Sequence, residues 1–351
     1  KKEINMGLFN NRKKKENKTV VPVWFMRQAG RYHSHYQNIK ANSDFMTMCK
    51  NPQLACDVTM GPINDFKFDA AILFSDLLFP LEHLNLGLSY HSGPPSLERH
   101  LTDENIFSQL IPKTVAPEFY AFQGEAIKLL TKKLPPDVSM LGFVGAPFTL
   151  YTYATEGSHN GGLIESKKGL YNGRFNKFWE LLMPTLLCEM NVQASAGAEA
   201  ICLFDTAAGE LCLKDYQEFI VPRLRELLLS FKKNNPLTKI VYYSKFTHHS
   251  YLRTLVDLPI DVLGIDWRMD LAATLKEFGD KFYIQGNIDP VWLHLPWQDL
   301  EKNLEQFFNH LQKQNVPMNK WICGLGHGVL PKTPEENVKK MVAYIQNNFL
   351  Y

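Results

Sequence analysis

The stretch "PVWFMRQAGRY", residues 22–32, changes character halfway along its length. It opens with a short apolar run, Val23–Met26, and then places Arg27 and Arg31 around a glycine-containing turn. An apolar run of this length predicts a short buried strand. The two arginines therefore stand at the carboxyl end of a strand, where they could form surface salt bridges or bind an anion.

The same short apolar pattern recurs along the chain and predicts a fold. Apolar, β-branched or aromatic character marks eight predicted strands: Val21–Met26, Ala70–Phe74, Met140–Val144, Ala200–Phe204, Lys239–Tyr243, Asp261–Ile265, Phe282–Gln285 and Lys320–Gly324. Helical periodicity separates most of them, as in Pro117–Lys133, Asn176–Ala194, Lys214–Lys233, Leu271–Phe278 and Pro334–Phe349. Alternating strands and helices predict an α/β fold with a parallel sheet, and eight repeats favour a closed (β/α)8 TIM barrel. A doubly wound open sheet is the alternative, but no GxGxxG motif follows any of these strands.

Polar or turn residues follow each predicted strand at once. They are Arg27 and Arg31; Ser75 and Asp76; Gly145, Ala146 and Pro147; Asp205 and Thr206; Ser244 and Lys245; Asp266 and Trp267; Asn287 and Asp289; and Gly326, His327 and Gly328. In a barrel the carboxyl ends of all strands lie on one face, where active sites of this fold are built. The sequence therefore predicts an active site at that face, with Arg27 and Arg31 at its mouth.

Composition gives no support to several classes of function. The chain has 351 residues, of which 45% are hydrophobic and 21% charged, with a formal net charge of +2. These values are typical of a globular protein and give no reason to expect nucleic acid or a membrane surface as a partner. No apolar run is long enough to span a bilayer. The six cysteines form no CxxC pair, which predicts buried thiols in a reducing compartment.

The first nineteen residues differ from the rest of the chain. Lys1–Thr19 contains seven Lys or Arg and two Glu, with several Asn and little to bury, which predicts a disordered basic leader. Because the sequence starts with Lys, we expect a processed or truncated product. The leader could be the remnant of an organelle transit peptide or a polar tail. Residues 20–351 are then expected to form the barrel domain, in the plastid or the cytoplasm.

Several residues at the predicted face have the chemistry of a binding site. Guanidinium groups bind carboxylate or phosphate with two hydrogen bonds, and the turn between Arg27 and Arg31 could form an anion-binding nest of N–H groups. Asp76 ends an apolar strand, where a carboxylate is costly without donors or an arginine partner. For Tyr153 and His327 a structural role, in packing or hydrogen bonding, is the more common alternative.

The motifs of several other chemistries are missing from the sequence. There is no P-loop, HExxH or GxSxG motif and no paired Cys/His cluster. We therefore expect neither a metal nor a cofactor, and any chemistry must use the substrate's own electrons.

A set of motifs running in order from residue 20 to the end of the chain resembles the uroporphyrinogen decarboxylase family. The motifs are "PVWFMRQAGRY" at 22–32, "FSD" at 74–76, "GAPFTL" at 145–150 with Tyr153, "FDTAAG" at 204–209, "GIDW" at 264–267, "QGNIDP" at 285–290 and "GLGHG" at 324–328. The resemblance implies a single-domain barrel, a homodimer, and cofactor-free removal of the four acetate carboxyls of uroporphyrinogen III, giving coproporphyrinogen III in haem biosynthesis.

The resemblance also assigns roles to residues. It implies that Asp76 accepts the pyrrole N–H groups and stabilises a ring cation, and that Arg27 donates or relays the proton. The implied substrate-binding residues are Arg27, Gln28, Ala29, Gly30, Arg31, Asp76, Tyr153, Thr206 and His327. The implied substrate is a small-molecule tetrapyrrole.

The sequence departs from the family pattern at a few positions. His33, Ser34 and His35 stand where a Pro-Glu pair is common, Lys40 where Arg is common, and Ala207 where His or Trp is common. These departures affect the expected shape and specificity of the pocket. Two other functions remain as alternatives: a related zinc-dependent corrinoid or thiol methyltransferase, and a barrel that binds a tetrapyrrole without catalysis.

Overall fold

The computed structural model describes residues 7–9, 12–91, 93–110 and 116–351. Contacts within the chain group these residues into two compact units. Unit 1 comprises Lys1–Phe74, Ala126–Leu141 and Asp261–Tyr351, and unit 2 comprises Ser75–Glu125 and Gly142–Ile260. Each unit therefore combines segments that are far apart in the sequence.

The helices account for most of the regular structure. In chain order the α-helices of the described residues are α1 Ser34–Lys40, α2 Phe45–Lys50, α3 Pro52–Phe66, α4 Phe79–His83, α5 Ala121–Lys133, α6 Pro147–Glu156, α7 Ile164–Tyr171, α8 Arg174–Ser195, α9 Leu213–Asp215, α10 Val221–Asn234, α11 His249–Arg253, α12 Leu271–Phe278, α13 Trp297–Lys313 and α14 Glu335–Asn348. Short 3₁₀ segments lie at Glu104–Ser108, Pro117–Tyr120, Ala208–Glu210, Pro290–His294 and Met318–Lys320, and Tyr216–Ile220 is a π-helix.

The strands of the described residues form one large sheet and two small ones. In chain order they are β1 Lys14–Lys15, β2 Lys18–Thr19, β3 Ala70–Ile72, β4 Leu88–Ser89, β5 Ser96–Leu97, β6 Ser139–Gly145, β7 Ala200–Asp205, β8 Lys239–Ser244, β9 Val262–Gly264, β10 Tyr283–Ile288 and β11 Trp321–Leu325. The large sheet has seven strands in the order β11-β10-β9-β8-β7-β6-β3, and the antiparallel pairs β1-β2 and β4-β5 form the small ones. In unit 1, β10 pairs in parallel with β11 and with β9, and in unit 2 β7 pairs in parallel with β8.

Seven of the eight predicted strands are confirmed, and they belong to the seven-stranded sheet. Every residue of β11 is buried, as are five of the six residues of β7 and of β10. Strands buried on both faces appear in a sequence as continuous apolar runs, which is why their positions were predictable. The predicted helix Leu271–Phe278 has the same bounds in the structure, because Asp270 caps it by accepting the N–H of Ala273.

The first predicted strand, Val21–Met26, is buried but forms no regular ladder. It makes a single parallel bridge, between Val23 and Cys323 of β11. Side chains take the place of strand partners: Asp69 Oδ2 accepts the N–H of Val23 at 2.8 Å, and Gln28 Oε1 accepts that of Phe25 at 3.2 Å. The prediction is therefore confirmed for burial, and in the described residues the pairing with β11 is limited to two backbone hydrogen bonds, from the Trp24 N–H to the Cys323 oxygen and from the Cys323 N–H to the Pro22 oxygen.

The predicted disorder of the first nineteen residues is wrong for residues 7–9 and 12–19. Leu8 and Phe9 are only 1% and 6% exposed, and the N–H of Leu8 donates to Ser139 Oγ at 3.3 Å. Lys13 Nζ lies 2.8 Å from Asp69 Oδ1. The hairpin β1-β2 follows, and Thr19 exchanges backbone hydrogen bonds with Tyr351. The polar composition of this segment gave no sign that the apolar side chains of Leu8 and Phe9 pack into unit 1.

The structure tests two further predictions from composition, one about the cysteines and one about membrane-spanning segments. All six cysteines are free thiols, but Cys212 is exposed and Cys188 partly so, so the expectation of buried thiols holds only for Cys49, Cys56, Cys202 and Cys323. Among the helices of the described residues, none combines the length and the apolar character needed to cross a membrane.

Candidate active site

The loop after Val23 in unit 1 is held in place by Gln28. Its side chain is 1% exposed and its Nε2 donates to the backbone oxygen of Ala70 at 2.9 Å. Its N–H donates to the oxygen of Phe25, and its own oxygen accepts the hydroxyl of Tyr32 at 2.6 Å. Both polar ends of Gln28 are therefore used within the chain, so Gln28 fixes the loop on which the two arginines stand.

The next three residues of this loop have backbone N–H groups that are available to a ligand. Within the part of the chain that the structure describes, the N–H groups of Ala29, Gly30 and Arg31 make no hydrogen bond. Consecutive free N–H groups in a turn form a concave site for an anion. The sequence-based expectation of an anion-binding turn at these positions is thus consistent with the backbone.

Arg27 and Arg31 lie exposed at the ends of the turn. Neither guanidinium pairs with a carboxylate of any described residue, so the alternative of surface salt bridging is not met there. Arg27 adopts a left-handed backbone conformation with φ of 57°. Such a conformation is uncommon for a residue with a side chain and is found at binding sites more often than elsewhere.

The segment after β11 packs against Arg27. The N–H of Val329 donates to the oxygen of Met26 at 2.9 Å, and Gly328 faces the Arg27 side chain so closely that a Cβ on it would lie 2.5 Å from Arg27 Cδ. His327 precedes this glycine, and its Nδ1 accepts the N–H of Gly328 at 2.7 Å. Two motifs that are about 300 residues apart, 22–32 and 324–328, therefore meet in unit 1.

Asp76 is a buried carboxylate of unit 2. It is 8% exposed, and its Oδ1 accepts the N–H of Leu78 at 3.1 Å. Burial raises the pKa of Asp76 to about 7, against the opposing effect of the N–H groups of Leu78 and Leu77. In the described residues no arginine or lysine pairs with it, so the structural alternative of an arginine partner is not met.

Tyr90 is a contact of Asp76 that sequence reasoning missed. It follows β4 in the β4-β5 hairpin, and its hydroxyl donates to Asp76 Oδ2. The hairpin is short and its apolar pattern is weak, so nothing in the sequence connected Tyr90 with the "FSD" motif. The tertiary structure supplies this donor.

The helix α6 presents Tyr153 and buries Tyr151. Pro147 occupies the first turn of the helix, and Gly157 ends it in a left-handed conformation. Tyr151 is 0% exposed and packs among aromatic rings, whereas the Tyr153 hydroxyl lies 2.6 Å from Nδ1 of His159. The Tyr153 hydroxyl therefore has a polar neighbour in His159.

Thr206 follows a buried acid that fixes its loop. Asp205 Oδ1 accepts the N–H and the hydroxyl of Thr149, and its Oδ2 accepts the hydroxyl of Tyr242 at 2.8 Å. The hydroxyl oxygen of Thr149 in turn accepts the N–H of Ala207 at 3.1 Å. Burial raises the pKa of Asp205 to about 6. Asp205 therefore holds the turn that carries Thr206, and its own oxygens are occupied.

The comparisons with known proteins agree with the sequence motifs. The family model described as uroporphyrinogen decarboxylase (URO-D) matches residues 7–348. Curated uroporphyrinogen decarboxylases are similar throughout: that of Pelobacter propionicus is 33% identical, with 93% of this chain and 94% of the relative covered, and that of Chloroherpeton thalassium is 32% identical, with 98% and 97% covered. The chain belongs to the uroporphyrinogen decarboxylase family.

Solved structures with a similar fold include other enzymes. A methyltransferase from Methanosarcina mazei superposes with a TM-score of 0.71 at 16% identity, covering 93% of this chain and 94% of that one. A B12-independent methionine synthase from a Shewanella species reaches a TM-score of 0.55 at 12% identity, covering 84% and 86%. At these identities the likeness concerns the fold alone.

The departures from the family pattern have distinct settings in the structure. Ala207 is fully buried, and Lys40 is exposed at the end of α1. His33 is fully buried, and its Nε2 lies 2.8 Å from Asp65 Oδ2 and 3.6 Å from Glu335 Oε1. The departure at His33 therefore ties the start of α1 to α3 and α14.

His33, Asp65 and Glu335 also have the residue types of a metal site. In the described residues their ligand atoms all lie within 4.8 Å of one another. Hydrogen bonds explain the arrangement without an ion, since Glu335 accepts the N–H and hydroxyl of Ser34 and Asp65 faces the imidazole. The buried Nδ1 of His33 has no partner, so a metal on Nε2 would leave a buried N–H donor there unpaired.

Proposed function

We propose that this chain removes the four acetate carboxyls of uroporphyrinogen III without a cofactor and releases coproporphyrinogen III and CO2. The observation that carries the proposal is Asp76, a buried carboxylate with no basic side chain paired to it in the described residues. Such a group is costly unless a ligand compensates it. The four pyrrole N–H groups of the substrate are donors that could compensate this carboxylate.

The substrate's carboxylates need a second set of partners. Uroporphyrinogen carries eight of them, and the exposed guanidinium groups of Arg27 and Arg31 and the free N–H groups of Ala29 and Gly30 suit them. We propose that Tyr153, Thr206 and His327 also contact carboxylates, and that Gln28 acts through the loop that it holds. The substrate thus offers carboxylates for the donors of each unit and pyrrole N–H groups for the carboxylate of Asp76.

The reaction can proceed on the electrons of the pyrrole. A proton added to the ring carbon beside an acetate creates an iminium-like cation. The bond between the acetate methylene and its carboxylate then breaks, its electron pair flows into the ring, and CO2 leaves. A proton on the methylene carbon and loss of the ring proton restore the pyrrole with a methyl group. Asp76 stabilises the cation electrostatically, and Arg27 donates or relays the proton.

The architecture that we propose is a closed (β/α)8 barrel formed by residues 20–351. Supporting this, Val23 pairs with Cys323 of β11, and its oxygen also accepts the N–H of Asp69 beside β3. The first segment thus contacts strands from both ends of the seven-strand order. We further propose a homodimer, which sedimentation of the active protein at micromolar concentration would test. Plastid or cytoplasmic location stays a prediction.

The decisive experiment is turnover of uroporphyrinogen by metal-depleted protein. Purified protein is dialysed against EDTA and incubated under anaerobic conditions with uroporphyrinogen III, and CO2 and the porphyrinogens are quantified. We expect coproporphyrinogen and four CO2 for each substrate molecule. Binding of uroporphyrinogen without release of CO2 would indicate a non-catalytic tetrapyrrole-binding protein. Turnover that disappears with EDTA and returns with zinc would indicate the methyltransferase class of chemistry.

A further inference from the structure

A chain of buried amides in unit 2 leads to the residue before Asp76. Nε2 of Gln193, on α8, donates to the backbone oxygen of Phe143 at 2.9 Å and to Gln123 Oε1 at 3.2 Å. Nε2 of Gln123, on α5, donates to Ser75 Oγ at 3.1 Å and to Glu189 Oε1 at 2.8 Å. Gln123, Gln193 and Glu189 are at most 1% exposed.

The backbone oxygen of Phe143 determines the direction of every bond in this chain. Because a carbonyl oxygen can only accept, Gln193 must turn its amide nitrogen toward Phe143. The same nitrogen faces Gln123, which must therefore present its oxygen there and its nitrogen to Ser75 and Glu189. Both N–H bonds of each amide are then used, and neither amide can flip without placing like groups together.

This direction leaves the hydroxyl proton of Ser75 to be donated elsewhere. Ser75 Oγ accepts from Gln123, and among the described residues no acceptor for its own proton lies within hydrogen-bonding distance. Ser75 is half-buried and directly precedes Asp76. Its proton is thus available to an acceptor on a ligand that contacts Asp76.

Glu189 is the last member of this chain of hydrogen bonds and is fully buried. Its Oε1 accepts from Gln123, its Oε2 has no partner, and no cation of the described residues pairs with it. Burial raises the pKa of Glu189 well above its ordinary value, and the charge of Asp76 raises it further.

We infer that Ser75 is a further substrate-binding residue, which donates its hydroxyl proton to a carboxylate of the substrate, and that Gln123, Gln193 and Glu189 are positioning residues that direct this donor. The inference rests on the proposed function, since it takes a polycarboxylate as the ligand. It adds one neutral donor, the residue directly before Asp76, to the polar groups of unit 2.

The test is a double-mutant cycle, in which KM and kcat for uroporphyrinogen are measured for the wild type, the single variants and the double variants. Ser75→Ala should raise KM about tenfold, the effect of losing one hydrogen bond to a charged group, with a smaller change in kcat. Ser75→Thr, which keeps the hydroxyl, should recover most of the loss. Gln123→Met and Glu189→Met should raise KM in the wild-type background but add little in the Ser75→Ala background.

Controls separate positioning from general damage to the fold. Thr185→Val removes a buried hydroxyl on the same helix as Glu189, one whose bond goes to Leu181 within the helix. It should lower the melting temperature without changing KM. An unchanged KM in Ser75→Ala, or effects of Ser75 and Gln123 that add independently, would overturn the inference while wild-type turnover still supports the proposed function. Absence of wild-type turnover would instead refute the function itself.

Discussion

Gly328 lies directly against the side chain of Arg27. A Cβ atom on this glycine would come within 2.5 Å of Arg27 Cδ and 2.8 Å of its Cγ. Real Cβ atoms do not approach other carbons so closely, so any larger residue at 328 must displace the arginine. The glycine of the "GLGHG" motif therefore leaves space for the aliphatic part of the Arg27 side chain, which belongs to a different motif.

The first prediction uses this contact to move Arg27 without removing it. Gly328→Ala should leave the protein folded, because the atoms it displaces belong to a flexible side chain, yet weaken substrate binding. We expect kcat/KM for uroporphyrinogen to fall roughly tenfold, about the effect of losing one charge-assisted hydrogen bond. In an Arg27→Ala background the same substitution should have little further effect.

Gly93→Ala is the matched control, since no atom of the described residues, apart from the chain neighbours, lies within 4 Å of a Cβ at that position. It should leave kcat/KM unchanged. Equal activity of Gly328→Ala and wild type, at equal melting temperature, would show that the position of Arg27 does not matter for the reaction.

The second prediction separates the charge of Asp76 from its shape. Asp76→Asn keeps the size but replaces the anion with an amide whose donors oppose the pyrrole N–H groups. Turnover per folded molecule should fall by about two orders of magnitude or more, similar to losing an oxyanion-hole donor. Asp76→Glu keeps the charge but intrudes by one methylene group, so we expect a raised KM with more of kcat retained.

The contrary result for Asp76 is equally specific. If the carboxylate were only structural, both variants would lose activity in proportion to folded protein, as measured by thermal unfolding. Near-normal turnover of Asp76→Asn would refute the proposed role in stabilising the ring cation.

The third prediction concerns pH. Because burial raises the pKa of Asp76 to about 7, lowering the pH through 7 protonates it in the free enzyme and kcat/KM should fall on that side. Bound pyrrole donors favour the anion, so the corresponding limb of kcat should lie at lower pH. A pH profile of both parameters checks this, and an acid limb of kcat/KM near pH 4 would contradict it.

The effect of Asp76 on the stability of the fold should have the opposite pH dependence to its effect on kcat/KM. Its folded pKa lies above the ordinary value of 3.8, so its stabilising contribution is fully present below about pH 4 and is lost as the pH rises through 7. Asp76→Asn has no carboxyl group to ionise, so its stability should not fall with rising pH for this reason. Chemical unfolding at several pH values should therefore show the variant gaining stability relative to wild type between about pH 4 and 7.

The fourth prediction concerns the start of the chain. Phe9 is 6% exposed and its ring meets that of Tyr283 edge-on at a centroid distance of 5.2 Å. Phe9→Ala should lower the free energy of unfolding by about 3 kcal/mol, as for other buried phenylalanines. Leu237→Ala, at a position that is 69% exposed, should change it by less than about 1 kcal/mol. Equal effects of the two substitutions in denaturant unfolding would show that the first segment contributes no packing.

Much of the fold was predictable because its determinants are local. A strand buried on both faces must be apolar throughout, so β7, β10 and β11 appear in the sequence as continuous runs. A helix that starts at a capping carboxylate, as α12 does at Asp270, carries its own boundary. The motifs around Arg27, Asp76 and His327 likewise identified the family before any contact was known.

The features that only the tertiary structure decided are contacts between residues that are distant in the sequence. Asp69 replaces a strand partner of Val23, Tyr90 reaches Asp76, and Leu8 bonds to Ser139, and none of these contacts leaves a periodic pattern in the sequence. The sequence by itself determined which residues carry charge and which segments must be buried, because both follow from composition and spacing. Which buried polar group meets which donor was decided by packing, because a hydrogen bond depends on distance and direction in space.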